Sequence, residues 1–114
     1  MEIDFKRCER DLIVRITGEI DSESVKWLRG RIDVEYDEVK VKNLVFDFSG
    51  VGFMDSSGIG MIIGRYKRVS ALGGSVKIFG ADTCVRRIIE LSGLENIVEL
   101  YESEDAATKR REWA

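Results

Sequence analysis

Histidine and proline are both absent from this chain of 114 residues. Without histidine there is no Ser-His-Asp or Cys-His catalytic arrangement, and metal sites of the usual Cys/His type are excluded. Cysteine is scarce. Cys8 and Cys84 lie far apart and form no C-x-x-C pair, so both read as small buried or half-buried side chains. With no proline, the turns fall to the 11 glycines and to Asp, Asn and Ser. Long apolar runs are missing too: none approaches the roughly 18 residues needed to cross a bilayer. Met1-Glu2-Ile3-Asp4 lacks the basic start and apolar middle of a signal peptide, so a cytoplasmic location away from membranes is expected. Nor is there a basic excess. The net charge of −3 gives no electrostatic reason to expect nucleic acid as a partner.

What is present fits a folded α/β protein. Hydrophobic residues make up 44% and charged residues 34%, and the length suits one domain over residues 1–114. Ile3 and Phe5 alternate with charged residues as in a short edge strand, Arg10-Asp11 reads as a turn, and Leu12 to Ile16 reads as a second, antiparallel strand ended by Gly18-Glu19-Ile20-Asp21. Asp21 or Ser22 can cap a helix with Val25, Leu28 and Ile32 on its apolar stripe. The charged stretch from Asp33 to Lys42 reads as the end of that helix or a loose connection. Leu44 to Phe48 is apolar on both faces except at Asp47, which marks a central strand. A second helix is expected over about Ser57 to Ser70, closed by Leu72-Gly73-Gly74. Val76 to Phe79 is the next strand. A third helix carries Val85, Ile88, Ile89 and Leu91 to Gly93, and Asn96 to Leu100 is a short strand. Ser103-Glu104-Asp105 opens a last helix with an acidic first turn and a basic end at Lys109, Arg110 and Arg111. The pattern predicts a mixed, mostly parallel sheet of about five strands packed by about four helices, with right-handed parallel crossovers.

Chemistry concentrates in Phe53-Met54-Asp55-Ser56-Ser57-Gly58-Ile59-Gly60, a corner between the central strand and the second helix. Serine beside the free N–H groups of a helix start suits an anion, a nucleophile or a phosphate acceptor. The nucleophile reading fails because no histidine can act as base and no lysine follows at S-x-x-K spacing. Gly58-Ile59-Gly60 with Gly64, and Asp82 at the end of the next strand, imitate a dinucleotide fingerprint. However, the glycines fall inside the predicted helix, so Gly60 and Gly64 read as positions of close helix–sheet packing. A P-loop is missing, and Asp47 with Asp55 supplies at most half of a phospho-aspartate site. A plain helix cap by Ser56 or Ser57 stays open, although a cap is worth only about 1 kcal/mol and does not need two serines. The apolar neighbours Val51, Phe53 and Met54 are either a partner surface or buried anchors.

Phe53 to Gly60, continuing through Met61-Ile62-Ile63-Gly64-Arg65-Tyr66-Lys67, resembles the signature of the anti-sigma-factor antagonists. These share a domain class, STAS, with the cytoplasmic tails of sulphate transporters. Gly18-Glu19-Ile20-Asp21 and Ser92-Gly93-Leu94 are similar to two further landmarks, and the serine pair with Gly-Arg-Tyr-Lys looks most like the sporulation branch rather than the stress-response branch. The resemblance implies a small STAS-type domain that is no enzyme itself. It implies phosphorylation of Ser57 by an anti-sigma factor that is also a serine kinase, and resetting by a serine phosphatase. The unphosphorylated form would bind that kinase and free the sigma factor. Asp21 would lie close to the phosphoacceptor. Asp21, Met54, Asp55, Ser56, Gly58, Met61 and Arg65 are the expected kinase contacts, with Arg68 beside them. ATP would come with the kinase, leaving no cofactor or metal of the chain's own. Weak nucleotide binding is the alternative function, and the free chain is expected to be a monomer.

Overall fold

Alternating strands and helices need a sheet to pack on, and the chain builds one in simple sequential order. The computed structural model describes residues 1–108. Strand β1 (Glu2–Cys8) turns through Glu9 and Arg10 into β2 (Asp11–Ile20), and the two pair antiparallel. Helix α1 (Ser24–Val39), β3 (Asn43–Met54), α2 (Ser56–Ala71), β4 (Val76–Phe79), α3 (Thr83–Ser92), a 3-10 turn at Leu94–Asn96, β5 (Glu99–Tyr101) and α4 (Glu104–Thr108) follow. The sheet order is β1-β2-β3-β4-β5, and every pair after the first is parallel. This is the mixed, mostly parallel sheet that the pattern predicts.

The two faces of the sheet are covered differently. Leu12, Val14, Ile16, Leu44, Phe46, Phe48, Val76 and Ile78 alternate onto one face and pack under α1, α2 and α3. Each crossover moves the chain one strand further and sets its helix on that same face, so all three share one hand. The other face holds Ile13, Val45 and Phe79 against Ala107 of α4. Lys109, Arg110 and Arg111, the expected basic end of the last helix, lie outside the described residues.

Several elements run longer than their hydrophobic pattern. Helix α1 continues through the charged stretch to Val39, because Tyr36 extends the stripe of Leu28 and Ile32 into the core. The Tyr36 hydroxyl donates to the Lys42 carbonyl at 2.8 Å. Strand β2 runs on to Ile20, and β3 runs to Met54, six residues beyond the apolar segment. The extension is possible because β3 takes up an extra residue at two places, opposite Arg15/Thr17 and Gly18/Glu19. Leu94–Asn96 is a 3-10 turn, so the last strand starts three residues later than Asn96. Cys8 is half-buried as expected, but Cys84 is exposed on α3.

Asp47 sits next to the first bulge and organises it. Its carboxylate accepts the Ser49 N–H at 2.9 Å, the Ser49 hydroxyl, and Arg15 Nε at 2.6 Å. It is 4% exposed, in ladder register with Arg15 on β2 and Phe79 on β4. Asp47 is therefore structural and forms no acidic pair with Asp55. Burial alone would raise its pKa, but Ser49 and Arg15 more than reverse this, and the carboxyl is held below the usual range. A depressed carboxylate contributes stability above its unfolded pKa of about 3.9 and loses that contribution as pH falls through the lower folded value. We expect Asp47→Asn to lower stability at neutral pH by about 1–2 kcal/mol, a modest loss because almost half of the Arg15 side chain faces solvent, which screens the pair. Urea unfolding at pH 7 and in acid should show the variant losing less on acidification than the parent.

Candidate functional site

The carboxyl ends of β2 and β3 carry the chain to the Asp55-Ser56-Ser57 corner and to Asp21. In parallel sheets this edge is where ligands and partners meet the fold. Ile20 pairs with Met54 at the ends of the two strands, and the Asp55 N–H donates to the Ile20 carbonyl at 3.1 Å. Asp55 is extended, and its carboxylate accepts the Ser57 N–H at 2.8 Å. Asp55 is thus the N-cap of α2. Among the described residues neither Ser56 nor Ser57 uses its hydroxyl in a hydrogen bond. The plain capping role open to either serine belongs to the aspartate instead. Two serine hydroxyls remain uncommitted, Ser56 exposed and Ser57 half-buried.

Asp21 follows β2 and caps the start of α1. Its carboxylate accepts the N–H groups of Ser24 at 2.9 Å and Glu23 at 3.2 Å, while Ser24 Oγ accepts the Asp21 N–H at 3.0 Å. This is a reciprocal capping box. Hydrogen bonding from the Ser24 backbone, foremost, lowers the Asp21 pKa. Asp21 and Asp55 are successive caps on one edge of the sheet. Asp21 borders a depression with Gly18 and Glu19 that shares no lining residue with the cleft that Ser57 lines.

That cleft lies between α1 and α2 and measures about 200 Å³. Val25 and Arg29 line it from α1; Ser57, Gly60, Met61, Gly64 and Arg65 line it from α2. The spacing of the α2 residues places them on one helical stripe. The glycines do not serve close packing. A Cβ on Gly60 or Gly64 would meet nothing within 4 Å, so their small size leaves the cleft open. Gly58 is the tight position: a Cβ there would stand 2.4 Å from Met54 Cγ and 2.9 Å from Ile20 Cγ2.

The expected contact residues separate by exposure. Asp55 and Ser56 reach the surface, whereas Met54, Gly58, Met61 and Arg65 are buried. Met54, at 0% exposure, is a core anchor together with Val51, while Phe53 between them is 45% exposed. Arg65 is 8% exposed and joins the two helices. Its Nε lies 2.9 Å from Asp33 Oδ1 on α1 as a contact of charges rather than an aligned hydrogen bond, and its Nη1 is buried with no acceptor. Arg68 Nη1 reaches the same Asp33 oxygen at 3.1 Å, and its Nη2 bonds Asp37. Burial lowers the Arg65 pKa; Asp33 opposes this, and Arg29 and Arg68 add to it. Two guanidinium groups, Arg65 and Arg68, therefore share the Asp33 carboxylate beside the cleft, and the charge of Arg29 adds to theirs.

Other candidate sites resolve as structure. Asp82 caps α3 by accepting the Val85 N–H at 2.9 Å, and all three glycines of the apparent dinucleotide pattern lie within α2. Among the described residues no group of three or more His, Cys, Asp or Glu side chains is placed to hold a metal ion, and no helix is long and apolar enough to cross a membrane.

The STAS domain family matches residues 2–107. This chain belongs to the STAS domain family. It is 32% identical over 104 residues to an anti-sigma F factor antagonist from Paenibacillus polymyxa, covering 91% of this chain and 89% of that protein. It is 33% identical over 100 residues to an anti-sigma-B factor antagonist from Bacillus subtilis (strain 168), covering 88% and 90%. Its fold matches the structure of the anti-sigma factor antagonist SpoIIAA in its unphosphorylated form, with a TM-score of 0.78, 26% identity and 92% of each chain covered. Sheet, helices and family agree with the resemblance carried by the Asp-Ser-Ser-Gly corner of this STAS domain.

The STAS corner predicts a contrast among three glycines of one helix. Gly60→Ala and Gly64→Ala should each stabilise the protein by roughly 0.5–1 kcal/mol, the usual gain of alanine over glycine in a helix with free space. Gly58→Ala should destabilise it, because Met54 and Ile20 have to move. Thermal unfolding of the three variants checks the order.

Proposed function

We propose that this STAS domain is an anti-sigma-factor antagonist switched by phosphorylation of Ser57. The observation that carries the reading is the free Ser57 hydroxyl. It stands at the start of α2 on a corner whose capping is already complete through Asp55. A serine held rigidly at an exposed helix start, with no structural task for its hydroxyl, suits a phosphoacceptor. The relatives named as antagonists of anti-sigma F and anti-sigma-B factors support the regulatory role.

In this reading the chain is a substrate rather than an enzyme. Phosphoryl transfer needs an in-line hydroxyl, ATP and metal, and a partner serine kinase, the anti-sigma factor itself, supplies all but the hydroxyl. A serine phosphatase resets the switch. The partner face is the part of the corner that reaches solvent, the exposed Phe53 and Ser56 with the half-buried Asp55 and Ser57, and Met54 and Gly58 fix it from beneath. The unphosphorylated chain, a monomer in the cytoplasm, binds the kinase and so releases the sigma factor; the sporulation-type branch is the one proposed.

Magnitudes favour direct occlusion by the phosphate. A hundred- to thousand-fold loss of affinity corresponds to about 3–4 kcal/mol. A phosphate near the α2 N-terminus changes helix-dipole energy by only about 0.3–1 kcal/mol. Burying an unpaired charge of about −2 in an interface costs about 2–5 kcal/mol, which is enough without refolding. A nucleotide-binding module is the competing reading; the cleft beside Ser57, at about 200 Å³, is smaller than the roughly 300–1,000 Å³ usual for small-molecule pockets, and the larger depressions of about 310 and 460 Å³ are lined by neither serine of the pair.

Incubation with a candidate anti-sigma kinase and ATP, read by mass spectrometry, tests the assignment. Ser57→Ala should abolish phosphate incorporation and Ser56→Ala should leave it. Phosphate on Ser56 would overturn the choice of serine. No phosphate on either residue, together with calorimetric binding of ATP or GTP by the free chain, would favour the nucleotide reading.

A further inference from the structure

We infer that the α1–α2 cleft is a receptor for the phosphate of Ser57, an internal latch in which Arg29 and Arg65 hold the modified side chain against α2. The inference rests on the reading that Ser57 is the modified serine, and adds what becomes of the phosphate afterwards.

Three independent features point to an anion in this cleft. Arg65 presents a guanidinium that is almost fully buried in the cleft wall, and its Nη1 has no acceptor. Buried polar groups are nearly always satisfied, so an orphan arginine nitrogen beside a cavity marks a place for an acceptor. The local charge is also unbalanced. Asp33 is shared by Arg65 and Arg68, and Asp37 bonds Arg68, while no carboxylate engages the exposed Arg29 on the opposite wall among the described residues. Finally, Gly60 and Gly64 leave open space along the stripe that runs from Ser57 to Arg65.

The geometry suits an attached phosphate. Ser57 and Arg65 are about 12 Å apart along the helix axis, at 1.5 Å per residue. Helical side chains lean toward the N-terminus, so Arg65 leans toward Ser57, and Arg29 closes the gap from α1. A phosphate offers several strong acceptor oxygens to two guanidinium groups. Asp55 acts against this, since its carboxylate already takes the Ser57 N–H at 2.8 Å. The arginines are therefore the donors that matter.

The latch is tested by installing phosphoserine at position 57 during translation, with phosphoserine at 56 as the control. The result then does not depend on which serine a kinase chooses, a question the mass-spectrometric test answers separately. Arginine Nε–H signals in NMR spectra should shift for Arg29 and Arg65 with phosphoserine at 57, and not at 56. A nonspecific phosphatase should remove the phosphate from position 57 roughly tenfold faster in Arg29→Ala than in the parent, with Arg29→Lys in between. Arg29 is exposed, so circular dichroism should show both variants folded. Unmoved arginine signals and equal dephosphorylation rates would overturn the latch. So would shifts produced only by free inorganic phosphate or ATP, which would make the cleft a site for a separate anion.

Discussion

The placement of Ser57 depends on one close contact, the seat of Gly58 on Met54 and Ile20. Met54 and Ile20 are the last, fully buried residues of two paired parallel strands. A helix can start directly above them only if its third residue has no side chain. Once Gly58 is seated, the Asp55 N–H reaches the Ile20 carbonyl and the Asp55 carboxylate reaches the Ser57 N–H. The corner is held by strand pairing below, a cap in the middle and a packed glycine above. The serine hydroxyls are left out of all three. A hydroxyl fixed in space by its neighbours, and engaged by none of them, is what an incoming kinase requires.

The same corner explains how a small modification can have a large effect. The surface around Ser57 is rigid because Met54 and Val51 anchor it in the core, and it presents Phe53 outward. A phosphate added there changes charge and shape without needing to move the sheet. Ser57 also opens onto a cleft whose arginines outnumber the carboxylates facing them. On the proposed reading, a phosphate drawn toward Arg29 and Arg65 still occupies the surface a partner would need, and exclusion then rests on shape and desolvation more than on an unpaired charge.

Much of the fold was legible in the sequence because hydrophobic periodicity is strong where the core is deep. Leu44 to Phe48 and Val76 to Phe79 read as buried strands, and both are. The extension of β3 to Met54 was not legible: Ser49, Gly50 and Gly52 are poor strand residues, and their place is fixed by bulges against β2 and by Asp47, which are tertiary facts. The far half of α1 was obscured by charges that face solvent while Tyr36 keeps the stripe. At the site, the sequence could mark the corner but not the exposure of its residues. Met54, Met61 and Arg65 stand beside the serines in sequence but point inward, and no spacing rule separates the exposed Phe53 from the buried Met54 when a bulge has shifted the strand's register. The cleft was visible only as two glycines, Gly60 and Gly64, whose meaning depends on what a Cβ would touch.

The central claim, that a phosphate on Ser57 blocks a partner directly while the fold stays as it is, has one decisive measurement. Calorimetric titration of a candidate anti-sigma kinase with the chain bearing serine or phosphoserine at position 57 should be paired with amide hydrogen exchange of the two free forms. Direct occlusion predicts a loss of affinity of at least about a hundredfold with unchanged protection in β2, β3 and α2. Equal affinity, or an exchange pattern showing a reorganised sheet or helix, would contradict it.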